Sequence, residues 1–131
     1  LRVGASWYDG RWPQPINSSH LRRRQGLEAQ WQSRNLLLTA ELIKSFDYDH
    51  EAKGWVVLAS LFLSQGRIQP IFRYESLDRD VTLGNDDEKI ITYGLNWHLA
   101  PRTKFQINQE LHRPKTDKKR NIFLIQFQIG F

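Results

Sequence analysis

Three features of the 131-residue sequence predict an all-β fold, an antiparallel up-and-down transmembrane β-barrel of about eight strands. Apolar side chains recur at every second position along nearly the whole chain, a period that suits a strand and not a helix. The alternating runs are about ten residues long, against the usual soluble strand of about 5–6. At about 3.3 Å per residue and a tilt near 45°, such a run spans roughly 23 Å, the height of an outer-membrane barrel's apolar band. Tight turns also alternate with longer polar links, as expected where short turns form one rim and long loops the other.

The first segment is Leu1 to Tyr8, with Leu1, Val3, Ala5 and Trp7 on one face. Arg24 to Gln32 places Leu27, Ala29 and Trp31 there, and Leu36 to Lys44 adds Leu36, Leu38, Ala40 and Leu42. Gly54 to Leu63 carries Trp55, Val57, Ala59, Leu61 and Leu63; Ile68 to Glu75 carries Ile68, Pro70, Phe72 and Tyr74. Ile90 to Leu99 aligns Ile91, Tyr93, Leu95, Trp97 and Leu99, and Thr103 to His112 aligns Phe105, Ile107 and Leu111. The last segment, Asn121 to Phe131, is the clearest: Phe123, Ile125, Phe127, Ile129 and Phe131 share one parity, and Gln126, Gln128 and Gly130 the other.

Ser33-Arg34-Asn35, Ser64-Gln65-Gly66-Arg67 and Ala100-Pro101-Arg102 read as tight turns. Asp9 to Arg23, Ser45 to Lys53, Ser76 to Lys89 and Arg113 to Arg120 read as the long links. With the C-terminus on the periplasmic side, Trp31, Trp97, Phe105 and Phe131 fall near one rim, and Trp7, Trp55 and Tyr74 near the other. Two aromatic girdles suit rings that prefer the head-group level. Core aromatics of a soluble β-sandwich are the plainer reading of the same rings.

Length allows one domain, residues 1–131. No run approaches the roughly 20 apolar residues of a membrane helix. The absence of cysteine excludes disulfides, thiolate–metal sites and cysteine catalysis. Leu1 already belongs to an alternating run, and the sequence as read opens with neither an initiator Met nor a signal-peptide pattern. The expectation is therefore a processed form or the tail of a longer protein. The +5 charge comes from scattered basic residues, with runs at Arg22 to Arg24 and around Lys115 to Arg120. Both fall between segments and read as solvated loops; no nucleic-acid recognition motif accompanies them.

The face opposite the apolar one is mostly polar, which a wet lumen accommodates and a packed interior must satisfy group by group. The candidate pore-lining residues on it are Arg2, Arg24, Arg73, Lys104, Gln69, Asn96, Gln106, Asn108 and Gln126. Basic Arg2, Arg24, Arg73 and Lys104 stand against acidic Glu28, Glu41, Glu75 and Glu110, and such balance gives weak ion selectivity by itself. Val56, Leu58 and Phe62 break the pattern and need a cover: an inward loop, a plug or a partner.

Other clusters point to no chemistry. Asp47-Tyr48-Asp49-His50-Glu51 lacks the glycine and spacing of a calcium loop, and Asp86-Asp87-Glu88 reads likewise as a solvated loop. No nucleophile motif surrounds Ser18, Ser19 or Ser45 near His20 and His50. His98 and His112 share the polar parity near opposite strand ends, which argues against a joint metal. No enzyme activity, cofactor or metal is expected.

The stretches Gly54-Trp55-Val56-Val57-Leu58, Ile68-Gln69-Pro70-Ile71-Phe72-Arg73-Tyr74-Glu75, Ile91-Thr92-Tyr93-Gly94-Leu95-Asn96-Trp97 with Ala100-Pro101, and the glutamine-alternating end from Phe123 to Phe131 carry a likeness. Together they resemble the C-terminal half of the phosphate-selective porin O and P family, over about two-thirds of the chain. The resemblance implies a sixteen-stranded, trimeric outer-membrane channel of Gram-negative bacteria for phosphate and other anions, of which this chain is a part. It implies that Phe131 closes the signal read by the outer-membrane assembly machinery. The implied partners are membrane lipid and lipopolysaccharide, that machinery, small anionic or polar solutes, and two further copies of the full-length chain. The competing reading is a closed eight-stranded barrel, filled by side chains, acting as an anchor or binding module.

Overall fold

The computed structural model describes residues 1–13, 19–47, 50–83 and 86–130. It contains eight strands: β1 Arg2–Pro13, β2 Ser19–Gln32, β3 Leu36–Asp47, β4 His50–Leu61, β5 Ile68–Asp78, β6 Glu88–Ala100, β7 Thr103–Pro114 and β8 Arg120–Ile129. Each pairs antiparallel with its sequence neighbour, in the order β1-β2-β3-β4-β5-β6-β7-β8. β1 and β8 do not pair with each other, so the sheet is open. The up-and-down all-β expectation holds.

Register carries the alternation across the whole sheet. Val3, Ala29, Ala40, Val57, Tyr74, Ile91 and Leu111 form one continuous cross-strand row. Gln30, Thr39, Leu58, Arg73, Thr92 and Glu110 form a row on the opposite face. A one-residue slip between any two strands would exchange the faces, so matched rows are a condition of the pattern.

The faces are exposed in the opposite sense to a soluble sheet. No large apolar side chain is buried among the described residues, whereas Ser60, Glu88, Thr92 and Asn96 of the polar face are. Phe72, Tyr93, Leu95 and Trp97, neighbours on the apolar face, are 41–51% exposed. At roughly 200 Å² per side chain these four alone present about 370 Å², the size of the whole largest patch on a typical soluble monomer. Trp55 and Tyr74 meet edge to face at 5.1 Å on the same side, near the long-link rim.

The turns show why the chain reverses where it does. At the β4–β5 turn, Leu63 and Ile68 exchange both backbone hydrogen bonds, at 2.8 and 3.2 Å. Between them Ser64, Gln65 and Gly66 have φ of 49°, 60° and 86°. Only Gly66 adopts this left-handed region without steric cost.

Several boundaries differ from the sequence expectation. Pairing continues to Pro13 and Ser19, to Asp47 and His50, and to Pro114 and Arg120, well inside the expected long links. The β3–β4 link is residues 48–49, shorter than the β4–β5 link at 62–67, so short and long connections do not alternate strictly. Polar pairs extend these hairpins beyond the apolar rows: Lys44–Glu51 at 2.7 Å, Arg23–Asp9 at 3.3 Å and Arg22–Asp47 at 3.5 Å. Asp47 and Glu51 are thus strand residues rather than parts of an open loop. β4 ends at Leu61, leaving Phe62 and Leu63 at the turn. Phe131 lies outside the described residues, as do Ser18, Tyr48 and Asp49.

Candidate functional site

The polar face is the candidate site, and it divides along its length. Toward the short-turn rim it is built of neutral amides. Gln69, Asn96, Gln106 and Gln126 stand in one cross-strand row on β5 to β8. The Leu63–Ile68 bridge continues the β4–β5 register and brings Phe62 beside Gln69. The Phe62 N–H donates to the Asn35 carbonyl at 2.8 Å, so Asn35 begins the row.

Within it, Gln69 is held from three sides. Its Nε2 donates to Ser60 Oγ at 2.7 Å, Asn96 Nδ2 donates to its Oε1 at 3.1 Å, and His98 Nε2 lies 3.2 Å from the same oxygen. Asn96 and Asn108 each keep a buried Oδ1 with no hydrogen-bond partner among the described residues. The Asn108 amide packs against Gly94, where any Cβ would collide with it. Gln106 and Gln126 make no side-chain hydrogen bond among the described residues.

Charge gathers toward the long-link rim. Arg73 is ion-paired with Glu75. Glu88 is 5% exposed and receives His112 Nδ1 at 2.8 Å, Arg79 at 3.0 Å and Arg120 at 3.3 Å. His112 Nε2 reaches Glu110 at 3.1 Å. Burying a carboxylate is tolerable only with such partners. The solvated-loop expectation therefore fails for Glu88, which opens β6 on the inward parity. Extending the period-2 count two residues upstream of Ile90 would have found it.

The chain after β5, at residues 80–82, docks on β4. The Val81 N–H donates to the Glu51 carbonyl at 2.8 Å. Asp80 is buried and accepts from Thr82 N at 2.9 Å and Thr82 Oγ1 at 2.5 Å, with His50 Nδ1 at 2.9 Å. These bonds hold its carboxyl below the usual aspartate range, the Thr82 hydroxyl foremost and His50 next. Asp87 is lowered chiefly by its hydrogen bond to Lys115.

All nine expected pore-lining residues share the polar parity by register. They do not form one cluster. Arg2 and Gln126 are exposed on the two edge strands, and Arg24 pairs with Asp47 at 3.6 Å near the long-link rim. Lys104 has no ion pair among the described residues. Val56 has apolar company: it joins Ile43, Leu77 and Ile90 around a cavity of about 290 Å³, with Arg73 and Glu75 also in its wall. The described residues contain no group of three or more His, Asp or Glu arranged for a metal. No protein-family model, curated protein or solved structure matches the chain.

Proposed function

We propose that this chain forms part of the wall of a bacterial outer-membrane channel for passive diffusion of small polar solutes. The carrying observation is the inverted sheet: an apolar face open to its surroundings and a polar face that holds the buried residues. A bilayer outside and water inside are the two solvents that make such a sheet stable. On β6 the apolar run from Ile91 to Leu99 is about 26 Å long, or roughly 19 Å along the membrane normal at a 45° tilt. Beyond that band on the same parity, Lys89 and Arg113 stand one row out and Lys44 and Lys53 two, toward the level of anionic head groups such as those of lipopolysaccharide.

The free edges of β1 and β8 call for further strands, since an unpaired edge has no solvent in hydrocarbon. This supports a larger barrel over the closed eight-stranded anchor, in which those two strands would pair. The porin O and P resemblance supplies the sixteen-strand count, the trimer, the phosphate preference and the assembly role of Phe131. On this face, the Arg73–Glu75 and Arg24–Asp47 pairs leave little excess positive charge to draw anions, so this half of the wall contributes weak selectivity. The test is conductance of the full-length protein in planar bilayers. Stepwise current is expected; a folded, inserted protein that passes none would refute the channel.

A further inference from the structure

We infer that the row Asn35–Phe62–Gln69–Asn96–Gln106–Gln126 is a subsite for neutral polyhydroxylated solutes, short oligosaccharides, moving along the polar face. The inference rests on the channel reading and narrows it to a solute class.

The row has the chemistry a sugar needs and lacks what an anion needs. A sugar hydroxyl both donates and accepts. An amide side chain offers two donors and an acceptor in one plane, so it can meet either role. Among the described residues Gln106 and Gln126 have these groups unspent, while Gln69 is locked by Ser60, Asn96 and His98 into one orientation. An anion can use only the donors, and each amide oxygen facing it is repulsive. No member of the row is a cation: Lys104 stands two residues before Gln106 on β7, paired with Gln128, and Arg34 lies in the β2–β3 turn beside Asn35.

Phe62 supplies the other half of the recognition. It is the one aromatic ring in the row, half-buried, and the other members of the row are polar. With Gln32, Arg34, Asn35 and Gly66 it lines a cavity of about 640 Å³ at the short-turn rim. A pyranose ring carries an apolar C–H face with hydroxyls around its edge, and binding sites of this kind pair an apolar wall with a few placed polar groups. A Phe flanked by planar amides meets both parts. It also gives Phe62 a reason to break the polar parity without a protein cover.

The dimensions suit an extended solute. Neighbouring strands lie about 4.8 Å apart, so Phe62 to Gln126 spans roughly 19 Å across the sheet. Because barrel strands tilt by about 45°, a row crossing them also advances along the channel axis. A solute passed from Phe62 toward Gln126 would change partners step by step, weakly held at each.

The test measures block of ion current through the full-length protein by maltohexaose, with inorganic phosphate as the comparison probe. Maltohexaose should interrupt the current in a concentration-dependent way. Phe62→Ala and Gln106→Leu should each weaken the block about fivefold, the worth of one neutral contact of about 1 kcal/mol. Phe62→Trp, which keeps an aromatic face, should retain or strengthen it. Lys104→Gln should leave it unchanged. A conducting channel that maltohexaose does not block, or that phosphate alone blocks, overturns the inference. So does a block indifferent to Phe62 and Gln106. A protein that conducts nothing refutes the channel reading instead, and calorimetry of maltohexaose with the folded protein in detergent then judges the row alone: no heat of binding overturns it, and binding lost in Phe62→Ala upholds it.

Discussion

Replacing Leu95 by Arg separates a membrane wall from a water-exposed sheet. Leu95 is 41% exposed on the apolar face, paired with Pro70 and Ile107. On a soluble protein such a surface change falls within about 0.5 kcal/mol. In a bilayer its depth decides the cost. Leu95 is the middle residue of the run from Ile91 to Leu99, with about 13 Å of strand, or roughly 9 Å of membrane normal, on either side. That places it near the midplane, where an arginine on the lipid face costs about 2–4 kcal/mol. Leu99→Arg, at the end of the same run, should cost only about 0–1 kcal/mol. The assay is reversible urea unfolding of the full-length protein from lipid vesicles, followed by tryptophan fluorescence. The predicted gap corresponds to about a fivefold or greater difference in the folding constant. Equal, sub-kilocalorie effects at both positions would refute the lipid-facing assignment, and with it the bilayer as the second solvent.

Four further outcomes follow from the geometry. Gly94→Ala would set a Cβ 2.7 Å from the Ile107 carbonyl and against the Asn108 amide; it should lower stability by about 1–3 kcal/mol, the cost of overpacking, read by the same urea titration. Gln65→Gly should raise stability by ~1 kcal/mol, because Gln65 sits at φ 60° where only glycine is unstrained; an unchanged midpoint would count against the turn geometry. Arg73→Glu with Lys104→Glu should move the reversal potential of the full-length channel toward cations, and no shift would remove both from the permeation path. The carboxyls of Asp80 and Asp87 are held below the ordinary aspartate range. Their contribution is complete above that range and disappears as pH falls through the lower folded values. Protection of the Val81 and Leu83 amides, corrected for the intrinsic pH dependence of exchange, should therefore be steady from pH 7 to about pH 5 and fall only below about pH 4; a loss that begins already near neutral pH would refute the assignment.

The candidate site was partly legible because parity is local. Gln69, Asn96, Gln106 and Gln126 alternate with apolar neighbours along their own strands, and this alone assigns each to the polar face. That they stand in a single row is a matter of register between strands, which no one segment contains. Glu88 was missed for a similar reason. In sequence it ends an acidic run in a link; in the sheet, strand pairing with Pro114 makes it the first residue of β6, and His112, Arg79 and Arg120 converge on it from other parts of the chain.

The same division explains the loops. Apolar alternation ends near Leu42 and Trp55, and a reading by hydropathy stops the strands there. Pairing continues to Asp47 and His50 because Lys44 meets Glu51 across the hairpin. Charged side chains carry no parity signal until their partners are known.

By itself, then, the sequence determined the all-β class, the number and order of strands and which side chains share a face. These follow from a two-residue period that each segment carries alone. Tertiary structure decided the register, the ion pairs around Glu88, the neighbours of Phe62, the shortening of the links and the two edges of β1 and β8 that stay open. Each of these depends on residues far apart in the chain meeting across a strand pair, and a period read along one strand holds no information about its partner.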